Sequence, residues 1–146
     1  MSKKATILLS IFLGLTIIGL IIYFVFPQKE NQLIVKTPSG TVSINDPHKL
    51  PSGKPLSMDG VNFKENTNYS IDYYPQDQGF IIAILNPNIQ AARDAAEKDF
   101  LKTLDITKAA ACKLKVTLSV PFDVNENASG KNYRLSFCPN GKAFPK

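Results

Sequence analysis

The stretch Tyr69–Leu104, YSIDYYPQDQGFIIAILNPNIQAARDAAEKDFLKTL, decides the fold because its hydrophobic period changes twice along its length. Tyr69, Ile71 and Tyr73 alternate with Ser70 and Asp72, the period-two pattern of a half-buried strand. Pro75-Gln76-Asp77-Gln78-Gly79 then supplies a turn, and Phe80 to Leu85 runs apolar without interruption. That run is short and β-branched enough to predict a central strand covered on both faces. Asn86-Pro87 offers a helix N-cap with proline at the first helical position. Beyond it Ile89, Ala92, Ala96, Phe100 and Leu104 recur at three- and four-residue spacing, with Arg93, Asp94, Glu97, Lys98 and Lys102 assigned to the opposite side. The expectation is a hairpin followed by an amphipathic helix that breaks near Asp105 and lays one face on the sheet.

Upstream, Leu33–Thr37 and Thr41–Ile44 flank Pro38-Ser39-Gly40, two β-prone runs around a turn-forming tripeptide. Between Asn45 and Thr67 three prolines and two glycines leave little periodicity, which reads as a loop with at most short strands. Downstream, Thr107 can cap a shorter helix from Lys108 to about Lys113. Leu114, Val116, Leu118, Val120 and Phe122 then alternate with polar neighbours as a strand. An Asn-rich connection, Asp123–Lys131, leads to Tyr133, Leu135 and Phe137, read as a last strand. Strands, helices and strands in that order predict an α+β domain of two layers, a mainly antiparallel sheet with one long and one short helix on one face.

The chain has 146 residues, and its apolar content is uneven. From Ala5 to Phe26 no residue is charged. At roughly 1.5 Å per residue such a helix spans about 33 Å, enough for a bilayer core of about 30 Å. Lys3 and Lys4 precede it, as in a secretory signal, but the apolar run is longer than a signal core and leads into Tyr23-Phe24-Val25-Phe26-Pro27 with no A-x-A cleavage pattern. The expected organisation is a short tail over residues 1–4, a transmembrane anchor over 5–26, a linker over 27–32 and one extracytoplasmic domain over 33–146. Lys3 and Lys4 at the membrane edge, against Lys29 and Lys36 partly offset by Glu30, favour a cytoplasmic amino terminus and a domain outside, in a single-pass cell-membrane protein.

Composition narrows the chemistry. One histidine, His48, and two cysteines argue against most metal centres and His-dependent catalytic sites, so no catalytic residue, no cofactor and no metal is expected. If the domain is extracytoplasmic, Cys112 and Cys138 pair most economically as a structural disulfide, contributing roughly 3 to 4 kcal/mol in the chain-entropy model. Two buried thiols, or reactive or metal-binding thiols, are the alternatives. Asp123, Asn125, Asn127 and Ser129 alternate like the start of a calcium loop, but Ala128 stands where the turn glycine belongs and Arg134 where a bidentate Glu should close the shell. Gly53-Lys54-Pro55 lacks the Ser or Thr and the glycine spacing of a phosphate loop. Asn68 and Asn127 head sequons, which matter only in a glycosylating host. Asp94, Glu97 and Asp99 interleave with Arg93, Lys98 and Lys102 as a solvated helix face, with Asp94 and Lys98 as an i,i+4 pair. The net charge of +5 comes from scattered lysines, which gives nucleic-acid binding little support and leaves attraction to an anionic cell surface open. Tyr73, Tyr74 and Phe80 around the Pro75 turn are the candidate exposed binding tip, with core filling as the alternative.

The segment Ala91–Pro139, with AARDAAEKDFLKTLDITKAAACKLKV, PFDVN and NYRLSFCP, resembles a pattern found in small bacterial single-pass membrane proteins of uncharacterised function. The resemblance covers about a third of the chain. It implies a bacterial source and that both cysteines belong to the shared pattern, and it implies no activity. The functional expectation is a non-enzymatic, membrane-anchored extracytoplasmic domain that binds an envelope protein or a cell-surface component, or serves a structural role. The alternatives are an enzyme or thiol-redox accessory with a site dispersed in sequence, and a small subunit of a larger membrane complex.

Overall fold

The turn between the first two strands needs glycine. Strand β1 (Gln32–Thr37) pairs antiparallel with β2 (Gly40–Asn45) through a two-residue loop, Pro38-Ser39, and Gly40 leaves it at φ +119°, a backbone region that side chains rarely enter. Val35, Val42 and Ile44 turn inward from this hairpin and are buried. It is fastened to the rest of the domain by the Asn45 side-chain amide, which donates to the Thr103 carbonyl at 3.0 Å, and by the Lys36 N–H, which donates to Gln78 Oε1 at 2.8 Å. The computed structural model describes residues 31–145. The expected anchor, Ala5–Phe26, and the short tail before it lie outside the described residues. Among those described, no helix is long and apolar enough to cross a membrane.

The main sheet has the order β3-β4-β5-β6-β7: β3 (Lys54–Pro55), β4 (Val61–Glu65), β5 (Tyr69–Tyr74), β6 (Gly79–Ile84) and β7 (Lys115–Ser119). Neighbours are antiparallel except β6 and β7, which are parallel because the helical segment crosses between them. The domain is therefore α+β with a largely antiparallel, mixed sheet. The stretch Asn45–Thr67, expected to be mostly loop, holds β3 and the whole of β4. Only Val61 and Phe63 mark β4 as a buried strand, and a bulge between Asn62 and Lys64 disrupts the alternation that would have revealed it.

Helix α1 (Ile89–Leu104) covers one face of the sheet. Ala92 and Ala96 keep its backbone close, while Phe100 and Leu104 are fully buried. The Phe100 ring meets Phe80 edge-on at 5.2 Å. Register places Tyr69, Ile71 and Tyr73 of β5 beside Ile84, Ile82 and Phe80 of β6, and these beside Val116 and Leu118 of β7. All eight are buried, each worth roughly 1.5 to 3 kcal/mol for the large apolar side chains. The helix starts two residues later than its Asn86-Pro87 signal. Asn88 is the N-cap, its Oδ1 accepting from the Ala91 N–H, while Asn86 Oδ1 accepts from the Asn88 N–H and shapes the turn before it. Asp105 ends the helix in the left-handed conformation, φ 53°. Thr107 caps α2 (Lys108–Ala111), as expected.

Two expectations fail for identifiable reasons. The strand β6 is not covered on both faces: Ile81 is exposed and Ala83 half-buried on the side away from α1, so that face of the sheet is open. The segment Tyr133–Phe137 is not a strand. It runs beside β7, with the Tyr133 N–H donating to the Leu118 carbonyl at 2.8 Å and Asn132 Oδ1 accepting from the Leu118 N–H at 3.1 Å. Arg134 then turns left-handed, φ 55°, and a buried guanidinium takes the carbonyls that a further strand partner would need.

Candidate functional site

The open sheet face, the β1–β2 hairpin tip and the carboxyl-terminal segment meet around one ion pair. Lys115, first residue of β7, reaches Asp77 in the β5–β6 turn at 2.5 Å. The ammonium holds the Asp77 carboxyl below its usual range, and the Gly79 N–H adds a hydrogen bond to Asp77 Oδ1 at 3.0 Å. Two concavities flank this bridge and share its residues.

The first is a cleft of about 530 Å³ lined by Met58, Tyr74, Gly79, Phe80, Ile81 and Thr117 together with the bridge. Tyr74 is at the end of β5, and strand alternation turns it to the open face while its neighbour Tyr73 enters the core. The loop ahead of β4 closes over the Tyr74 ring because residue 60 has no side chain: a Cβ there would stand 2.9 Å from the ring. Met58 and Asp59 both have positive φ, and the Gln76 amide donates to the Met58 carbonyl, which leaves the Met58 side chain 70% exposed at the rim. Farther along the same open face, Asn62 Nδ2 donates to Asp72 Oδ1 at 2.6 Å. Burial pushes the Asp72 carboxyl up, and this hydrogen bond only partly opposes it.

The second concavity, about 320 Å³, is of opposite character. Lys36, Lys113, Lys115 and Arg134 line it with Asp77, Gln78 and Cys112. Its wall is held from behind by a buried polar network. Arg93 and Glu97, 1% and 5% exposed, pair at 2.9 Å one helical turn apart on α1. The Arg93 guanidinium also donates to the carbonyls of Tyr133 (3.3 Å), Arg134 (2.7 Å) and Lys142 (2.7 Å) and lies over the Phe144 ring at 5.0 Å. Glu97 accepts from the Ser136 N–H at 2.6 Å and from its hydroxyl at 2.5 Å. A charged pair with no solvent is tolerable only when its remaining donors and acceptors are met, and here the irregular chain 133–142 meets them. Cys112, the C-cap of α2, and Cys138 form a disulfide with their Cα atoms 5.5 Å apart, tying the same segment to the end of the helical crossover.

The residues singled out from sequence fall into place unequally. Tyr73 and Phe80 are 2% and 1% exposed, with their rings in tilted contact at 5.0 Å, and belong to the core; Tyr74 alone of the three presents its ring to the open face. His48 meets Tyr73 edge-on at 5.9 Å. Asn125 caps the short turn Glu126–Ala128, accepting from the Ala128 N–H at 3.0 Å. The solvated helix face needs correction: Arg93 and Glu97 leave it for the interior, and Asp94 accepts from Gln90 rather than pairing with Lys98. Asp99 joins Tyr69 (2.5 Å) and Lys64 (3.0 Å). Burial raises its carboxyl, but the Tyr69 hydroxyl and the Lys64 ammonium outweigh that and hold it low, while burial and Asp99 push the Tyr69 phenol up to about 12. Among the described residues, no group of three or more His, Cys, Asp and Glu is placed to hold a metal ion.

Comparison with protein-family models, with curated proteins and with solved structures finds no match to this chain.

Proposed function

We propose that this is a membrane-anchored extracytoplasmic binding domain without enzymatic activity of its own. The observation that carries the reading is the pairing of an uncharged stretch, Ala5–Phe26, with a following domain whose two cysteines are joined. Disulfides persist outside the reducing cytosol, and an apolar run of this length is long enough to cross a bilayer. The side chains best suited to chemistry are already engaged: the cysteines in the disulfide, Glu97 by Arg93 and Ser136, and Asp99 by Tyr69 and Lys64. What stays accessible is the cleft around Tyr74, Met58 and Ile81, a contact surface for an envelope protein or cell-surface component. Two treatments of bacteria producing the full chain test the reading: carbonate extraction of membranes, and protease added to spheroplasts. Retention in the membrane pellet with digestion of the domain before lysis is expected. Extraction into the supernatant, or protection of the domain until lysis, overturns it.

A further inference from the structure

Lys36, Lys113, Lys115 and Arg134 are separated by up to 98 positions in sequence, yet they line one concavity with a single carboxylate, Asp77. The described residues hold thirteen Lys and Arg against eleven Asp and Glu, so this one cleft gathers more positive charge than the whole described domain has in excess. Lys115 is matched by Asp77. Lys36, Lys113 and Arg134 have no acidic partner among the described residues.

The backbone is strained where the cleft is built. Gln78 and Arg134 both line it, and both adopt left-handed φ, 51° and 55°. Neither residue type favours that region, and each such position costs on the order of 1 to 3 kcal/mol unless its surroundings enforce it. Those surroundings are specific. The Arg134 N–H donates to Asn132 Oδ1 at 2.9 Å and its carbonyl accepts from the buried Arg93 at 2.7 Å. Gln78 Oε1 accepts the Lys36 N–H at 2.8 Å, drawing the hairpin to the opposite wall. Cys112 in the lining and Cys138, four residues after Arg134, fix the wall covalently. Cations that line one concavity without acidic partners repel one another, and an anion relieves that repulsion.

We propose that this cleft binds a phosphate group, the Arg134 guanidinium and the Lys36 and Lys113 ammonium groups replacing its hydration. Arg and Lys are the side chains that recognise phosphate, the first by paired hydrogen bonds and the second as mobile point charges. Net positive charge of three in about 320 Å³ suits a phosphate better than a single carboxylate. The chemistry is shared by a free phosphate ester and by a phospholipid headgroup. The inference rests on reading the domain as a binding module.

The test uses the full chain in non-ionic detergent, titrated calorimetrically with inorganic phosphate, with glycerol phosphate, and with micelles doped with phosphatidylglycerol or phosphatidylcholine. Saturable binding of at least one phosphate probe is expected, weakened about tenfold or more by Arg134→Gln or Lys113→Gln and by raised salt, with unchanged melting temperature. Lys98→Gln, which removes the same charge from the exposed side of α1, should leave it unchanged. Tighter binding of phosphatidylglycerol micelles than of glycerol phosphate assigns the site to a headgroup, and the reverse order assigns it to a soluble ester. Absence of saturable binding to every probe, or an equal loss in Lys98→Gln, overturns the proposal. A domain shown to be external that binds no phosphate refutes this inference alone, whereas a cytoplasmic domain that binds phosphate refutes the anchored extracytoplasmic reading alone.

Discussion

Replacing Arg93 by Met removes the group on which the carboxyl-terminal segment is hung. The side chain is 1% exposed and makes four hydrogen bonds: one to Glu97 and three to the carbonyls of Tyr133, Arg134 and Lys142. Met fills much of the volume, so little of the loss is cavity. What remains is a buried Glu97 carboxylate with only Ser136 as donor, and three carbonyls without their partner. Breaking a buried ion pair from one side costs about 3 to 5 kcal/mol, because the other charge stays where water cannot reach it. At roughly 4 °C per kcal/mol for a domain of this size, the melting temperature falls by about 12 to 20 °C. Thermal unfolding of the full chain, followed by near-ultraviolet circular dichroism, measures this. The double variant Arg93→Met/Glu97→Met should recover part of the loss, since it leaves no uncompensated charge. A single-variant loss below about 1 kcal/mol, or a double variant no more stable than the single, refutes the claim that this pair holds the segment in place.

Three further outcomes follow from the same structure. Cys112→Ser/Cys138→Ser opens a loop of 26-residue separation and should destabilise the oxidised domain by about 3.5 kcal/mol, read as the shift in denaturant midpoint; no shift contradicts the bridge. Asp72→Asn should stabilise the domain at neutral pH. The folded Asp72 carboxyl titrates above its unfolded value, so its contribution is fully present below the unfolded pKa and is lost as pH rises through the folded one. The gain from Asn should therefore shrink toward acid, and a gain that grows there would contradict the assignment. Tyr69→Phe should cost about 1.5 to 3 kcal/mol at neutral pH by removing a hydrogen bond to the charged Asp99. Asp99 is held low in the folded state, so the stability it supplies is present above its unfolded pKa and lost as pH falls through the folded one. The difference between Tyr69→Phe and the parent chain should narrow over that interval in acid denaturation series.

Local pattern made much of the fold legible. The hairpin around Pro38-Ser39-Gly40, the pair β5 and β6, the Thr107 cap and the apolar stripe of α1 are short-range signals, and each appears where its residues place it. Leu114, Val116, Leu118 and Val120 turn inward as their alternation predicts, while Phe122 lies beyond the strand and is exposed. Misreadings arise where distant partners override local preference. Arg93 and Glu97 look like part of a solvated face until the distant chain supplies their partners, the carbonyls of Tyr133 and Arg134 for the guanidinium and Ser136 for the carboxylate. Tyr133–Phe137 has the alternation of a strand, and the same guanidinium diverts its backbone. Two layers with helices on one face leave the other sheet face open, but Phe80–Leu85 is apolar at every position and so reads as covered on both. The basic cleft is the extreme case. Its four cations come from β1, the turn after α2, β7 and the carboxyl-terminal segment, so along the chain they look scattered.

A disulfide-closed domain that lies outside the membrane, as proposed, has two distinguishable properties, and thiol labelling of spheroplasts reads both together. Spheroplasts producing the full chain are treated with a membrane-impermeant maleimide polymer, with and without prior exposure to an impermeant reductant, and the chain is then sized by electrophoresis. No adduct is expected without reductant and two adducts, at Cys112 and Cys138, after it. Two thiols that react without reductant, and only once the cells are lysed, would contradict the proposal.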